Sequence, residues 1–127
     1  LHDALPILLA EKMREHNANA WLVNTGITGG PYGTGSRMDL KHTRSIINAI
    51  HAGDLDEVET ETDDVFGVKI PTSCPEVPSE ILNPRATWED KDAYDEQAKK
   101  LGKLFHDNFE EYKEESSQEI IDAGPNV

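Results

Sequence analysis

An α/β fold is what this sequence predicts, on three observations. Apolar residues recur at helical spacing in 41–53 and again in 87–115, short apolar or alternating runs lie between helical stretches, and a glycine-rich segment joins one such run to a helix. Periods near 3.6 and 2 residues assign such runs to helices and strands respectively.

Taken in chain order, LPILLAEKMREH (5–16) reads as an amphipathic helix, with Leu5, Leu8, Leu9 and Met13 on one face. AWLVN (20–24) reads as a short buried strand. NTGITGGPYGTGSR (24–37) packs five glycines into fourteen residues, and RMDL (37–40) reads as a second short strand. In KHTRSIINAIHAG (41–53), Ile46, Ile47 and Ile50 form a stripe and Gly53 supplies the stop. DLDEVETETDD (54–64) is expected to be a loop or an edge. VFGVKIP (65–71) alternates and ends at Pro71, as an edge strand does.

TSCPEVPSEILNPR (72–85), with three prolines, predicts an ordered irregular crossing. A long helix then spans 87–115, carrying Tyr94, Ala98, Leu101, Phe105, Phe109 and Tyr112 on one stripe, with Thr87 as its N-cap and Asp90 three residues on. A short last helix in SSQEIIDAG (116–124) stops at Gly124-Pro125.

Composition narrows the function. The 127 residues suit one domain, yet only 36% are apolar, which is thin for a self-sufficient core. The net charge of −13 is concentrated in 54–64 and 106–122, each with seven acids. Residues 1–53 carry five lysines and arginines against four acids, so the glycine-rich segment lies in the one stretch that is not acidic. Overall acidity argues against nucleic acid and against an anionic membrane surface as partners, but not against a small phosphate ligand. Cys74 is the only cysteine, so no disulfide can form within the chain and no cysteine cage for a metal exists. The lone cysteine fits a reducing, cytoplasmic setting, which is expected, and no run approaches a membrane span. The chain opens on Leu1 rather than Met, as a piece of a longer protein would.

The glycine-rich segment is the one motif with chemical promise. Gly30 and Gly35 have the spacing of a Walker A loop, but Ser36 stands where the lysine belongs and Arg37 where the hydroxyl belongs. G-x-G-x-x-G is absent as well. From spacing alone a loop touching a nucleotide and a purely structural glycine turn both remain open. Arg37, Lys41 and Arg44 either face a ligand or are solvated bases ahead of a helix. His42 and Thr43 read first as a capping pair. The five histidines lack metal-ligand spacing. The acidic run at 54–64 fails the EF-hand pattern at Val58, and Cys74 among prolines reads as packing.

Beyond these local signals, WLVNTG, GGPYGTGSR and PSEILNPR, in that order, resemble the C-terminal part of the ATP-dependent phosphoenolpyruvate carboxykinases. AEKMREHNANAWLVNTG (10–26), TGGPYGTGSRMDLKHTRSIINAIHAG (28–53), VFGVKIPTSCPEVPSEILNPRATW (65–88) and QAKKLGKLFHDNFEEY (97–112) extend the resemblance over nearly everything from residue 8 to Gly124-Pro125. It implies an α/β nucleotide-binding domain of which 8–127 is the C-terminal portion. The implied reaction turns oxaloacetate and ATP into phosphoenolpyruvate, ADP and carbon dioxide, with Mg2+ and Mn2+ as metal cofactors. The family's P-loop and its metal and oxaloacetate ligands lie upstream of this stretch, so no catalytic or metal residue is carried over. What carries over is the adenosine side: Arg37 and the adjacent Met38 match an adenine contact, and Thr43 a further ATP contact.

Ile27 replaces the family's usual tryptophan, and Ser36 its usual lysine. Residues 1–7 depart from the pattern abruptly and are expected to be a non-native start. The competing expectation is a small acidic binding domain with a structural glycine turn.

Overall fold

The computed structural model describes residues 4–127, so part of the segment expected to be a non-native start, residues 1–3, lies outside the described residues. The order is α1 (Ala4–His16), β1 (Ile27–Thr28), β2 (Ser36–Arg37), α2 (Leu40–Ala52), β3 (Thr60–Thr62), β4 (Lys69–Pro71), a 3-10 turn at Ser79–Ile81, α3 (Pro84–Thr87), α4 (Lys91–Phe109), a 3-10 turn at Lys113–Glu115 and α5 (Gln118–Asp122). Helices and short strands alternate, consistent with the α/β class. Among the described residues the strands form two separate antiparallel hairpins, with Ile27 opposite Arg37 in one and Thr60 opposite Pro71 in the other.

α1 ends at Asn17, which takes a left-handed φ of 49°, a conformation asparagine tolerates at a helix C-terminus. Of its expected apolar face, Leu8 and Leu9 are exposed and Met13 is half-buried. The expected strand at 20–24 is irregular instead. Neither ladder extends to it, and the Asn24 side chain turns the backbone by accepting from the Gly26 amide at 2.8 Å. Trp21 packs against the core while Leu22 stands 91% exposed.

α2 is the best-defined helix. Asp39 is its N-cap, accepting from the Lys41 amide at 3.1 Å, which replaces the expected capping role of His42 and Thr43. The helix closes on Gly53 at φ 78°, whose amide bonds the Ala49 and Ile50 carbonyls. The core sits where α2 meets the segments after it: Ala49, Leu55, Cys74 and Val77 are buried, with Ile46, Ile50, Val58, Ile81 and Leu82 packed around them. Burial, with the Asp54 carboxylate nearby, pushes the Cys74 thiol up, so it packs as an inert small hydrophobe.

The acidic run contributes β3, and the Asp63 carboxylate turns the hairpin by accepting from the Val65 and Phe66 amides. Phe66 then meets Phe105 of α4 edge to face at 6.2 Å. The expected helix over 87–115 is shorter at both ends. Asp90, not Thr87, caps α4 by accepting from the Ala93 amide, and Thr87 ends α3, itself capped by Asn83. The C-terminal strap crosses α4 at the buried Gly102, where an added Cβ would stand 2.6 Å from Val127. His106 Nε2 meets the Pro125 carbonyl at 2.7 Å, and the Asn126 amide donates to the Val65 carbonyl at 2.7 Å.

Candidate functional site

The glycine-rich segment folds as a tight β-hairpin, and its shape follows from a few residues. Pro31 starts a turn whose carbonyl accepts from the Thr34 amide at 3.0 Å and the Gly35 amide at 2.9 Å. Gly29 and Gly33 take φ of 77° and 94°, which side chains avoid. Gly35 is required for a different reason: a Cβ there would lie 2.6 Å from the Gly30 carbonyl oxygen and 2.7 Å from that of Thr28. The two strands therefore approach at glycine distance. Behind Arg37 the chain is pinned again, by the Met38 amide donating to the Gly26 carbonyl at 2.9 Å.

The hairpin is tied to the rest of the molecule by Thr87. Its hydroxyl donates to the Pro84 carbonyl at 2.7 Å and accepts from both the Gly29 amide at 3.1 Å and the Thr28 hydroxyl at 3.2 Å. Nothing in the helical spacing around 87 marks this role; only the Asn-Pro that starts α3 points to a cap nearby. The Asx turn at Asn24 and the cap at Asp39 fall on residues the sequence reading assigns to strands, AWLVN and RMDL, although Asn-x-Gly and an Asp just before a periodic run are signals for both.

These bonds decide what the hairpin can do chemically. The amides of Gly26, Gly29, Thr34 and Gly35 are each bonded within the protein. A phosphate cradle needs such amides turned outward together. Here those four hold the hairpin's own shape and are not free to turn toward a ligand.

The expected site residues occupy distinct positions. Arg37 is exposed on β2, opposite Ile27, and Met38 beside it is half-buried. Thr43 lies one turn into α2 and is only 6% exposed, so the structure does not bring it out beside Arg37. Among the described residues no carboxylate pairs with Arg37 or Arg44, whereas Lys41 lies 3.7 Å from Asp39. The Lys41 amide bonded to Asp39, reinforced by the charges of Lys41 and His42, holds that carboxyl below the usual carboxylate range.

On the side of α2 away from Thr43, Lys41, His42 and Ser45 face Glu76, Val77 and Pro78 across an open cavity of about 610 Å3. The Ser45 hydroxyl lies 3.5 Å from the Glu76 carboxylate, and Glu76 has a left-handed φ of 60°. His42 Nδ1 is buried with no partner among the described residues. No group of three or more His, Cys, Asp or Glu side chains among the described residues is placed to share a metal ion.

Comparison with known proteins bears directly on this geometry. A family model for phosphoenolpyruvate carboxykinase matches residues 5–80. The chain is 57% identical over 125 residues to phosphoenolpyruvate carboxykinase (ATP) 2 of Salinibacter ruber, covering 98% of this chain and 24% of the relative. It is 49% identical over 120 residues to phosphoenolpyruvate carboxykinase (ATP) of Rubrobacter xylanophilus, covering 94% of this chain and 23% of the relative. The Dictyostelium discoideum protein of that name is 50% identical over 118 residues, covering 93% of this chain and 21% of the relative. The chain thus spans about a quarter of the length of the curated relatives it matches.

Proposed function

This chain belongs to the phosphoenolpyruvate carboxykinase family, and from that premise we propose that it is the C-terminal piece of an ATP-dependent enzyme that supplies contacts to the adenosine end of ATP. The parent would convert oxaloacetate and ATP to phosphoenolpyruvate, ADP and carbon dioxide, a cytoplasmic step of gluconeogenesis. Phosphoryl transfer of this kind depends on positioning and on neutralising charge around the transferred group. The Mg2+ and Mn2+ that the resemblance implies would supply that neutralisation. The resemblance places their ligands upstream of this stretch, in the remainder of the parent. By itself the chain is inert.

One observation carries the adenosine assignment. Arg37 is an exposed guanidinium without an ion-pair partner among the described residues, fixed in register on a hairpin in which the Gly26, Gly29, Thr34 and Gly35 amides are already bonded. A planar guanidinium of this sort stacks on a purine. Met38, half-buried beside it, supplies an apolar edge for the same ring. Thr43 is proposed as the third contact on the resemblance alone, since its side chain is buried in this chain.

The test is Arg37→Ala in the full-length parent. Stacking of a cation on an aromatic face is worth about 0.5–2 kcal/mol, so ATP should bind roughly 2- to 30-fold more weakly. Oxaloacetate affinity should stay put. Arg37→Lys, which keeps the charge and loses the plane, should recover little. A folded Arg37→Ala protein that binds ATP as before would refute the assignment and leave the hairpin a structural role in the parent.

A further inference from the structure

We propose that the apolar groove alongside α4 is the seat of an apolar, non-acidic segment of the same parent polypeptide, contributed by the part of it outside these residues. The inference rests on the reading of the chain as a piece of a longer enzyme and is independent of the ATP contacts.

The groove has a volume of about 800 Å3, and α4, the β3–β4 hairpin, α5 and the segment before the glycine hairpin all contribute to it. Leu101, Phe105 and Phe109 recur at four-residue steps along one face of α4. Phe66 and Val68 flank them from the hairpin, and Ile120 from α5. Leu22, which also lines the groove, is 91% exposed, and Phe105 is 51% exposed although it meets Phe66 edge to face. A contiguous apolar surface on this scale marks a place where something docks. The chain's own core does not compete for these residues, because it lies on the other elements, around Ala49, Leu55, Cys74 and Val77.

Charge and length choose the occupant. Glu110 and Lys113, paired with each other at 2.9 Å, are the acid and the lysine that line the groove, and the stretch 106–122 around them holds seven acids in all. A second copy would bring another chain of charge −13 against this one, and like net charges oppose association. An anionic membrane meets the same objection. A relative matched over 98% of this chain has only 24% of its own length in the match, so about three quarters of that polypeptide lies elsewhere. A segment of it is tethered to this domain, and tethering raises its effective concentration without any added contact.

The experiment replaces the matched quarter of the full-length Salinibacter ruber enzyme with this chain and introduces Phe105→Cys. Alkylation by iodoacetamide at that position is followed by peptide mass spectrometry, in native buffer and in urea. Burial by the parent should slow alkylation at least about tenfold in the folded protein relative to the unfolded one, since labelling then waits on local opening. Alkylation of the folded protein within about twofold of the unfolded rate would overturn the proposal. Sedimentation of the isolated chain is the second arm. A dimer at micromolar concentration that Phe105→Asp abolishes, with fast alkylation in the full-length protein, would assign the groove to a second copy and overturn the parent segment. Protection at Phe105→Cys alongside unchanged ATP binding in Arg37→Ala would leave this inference standing and refute only the adenosine assignment.

Discussion

Thr87→Val is the perturbation that most directly tests how the glycine hairpin is held. The substitution keeps the shape of the side chain and removes one oxygen that serves three partners: the Pro84 carbonyl, the Gly29 amide and the Thr28 hydroxyl. The Thr28 hydroxyl can rotate toward another acceptor. The Gly29 amide cannot, because it is part-buried and aimed at position 87 by a left-handed backbone. Leaving a buried donor unpaired costs about 1–3 kcal/mol, and partial burial puts this site in the lower half of that range. A local loss of about 1–2 kcal/mol multiplies the population of the open hairpin by about 5 to 30. The assay is amide hydrogen exchange at Gly29, compared with exchange in the core of α2. Exchange at Gly29 should accelerate by that factor in Thr87→Val and stay near the parent value in Thr87→Ser, which retains the oxygen. Equal protection in the valine and serine variants would refute the anchoring role.

Three further outcomes are expected. Gly35→Ala should destabilise the hairpin by about 1–3 kcal/mol or more, because both close oxygens belong to backbone and cannot swing away; near-parent urea stability would contradict this. Asp90→Ala should cost about 1 kcal/mol through loss of the α4 cap, whereas a melt unmoved by it would return the helix start to Thr87. The Arg85–Asp95 pair, two-pronged at 2.7 and 2.9 Å, lowers the Asp95 pKa and raises that of Arg85. Arginine stays charged throughout, so Asp95 sets the sign. The contribution is full above the ordinary carboxylate range, declines as pH falls through it, and vanishes once folded Asp95 is protonated. Asp95→Asn should therefore flatten the acid limb of the stability profile, a modest change because both side chains are substantially exposed. An acid limb of unchanged slope would refute the pair's role.

What the sequence determined by itself is local. α2 shows its stripe at Ile46 and Ile50 and its stop at Gly53 in the sequence, so nearest-neighbour chemistry places its body, while its start at Asp39 differs from the cap expected at His42 and Thr43. The irregular crossing with Cys74 packed inside, and the acidic run as an edge, follow in the same way from proline and charge. The resemblance carried by GGPYGTGSR and its neighbours located the family, because an ordered set of short motifs does not depend on knowing the fold. Partners far along the chain could be fixed only by the tertiary structure. Residues 20–24 have strand composition and no strand beside them, since a ladder needs a second backbone that composition does not reveal. Thr87 looks like a helix cap and instead anchors a hairpin 58 residues earlier in the chain, through a hydroxyl whose partners only folding brings near. Thr43 follows the exposed Arg37 by six residues yet is buried, because Arg37 lies on a strand and Thr43 on the covered side of the helix that comes after it.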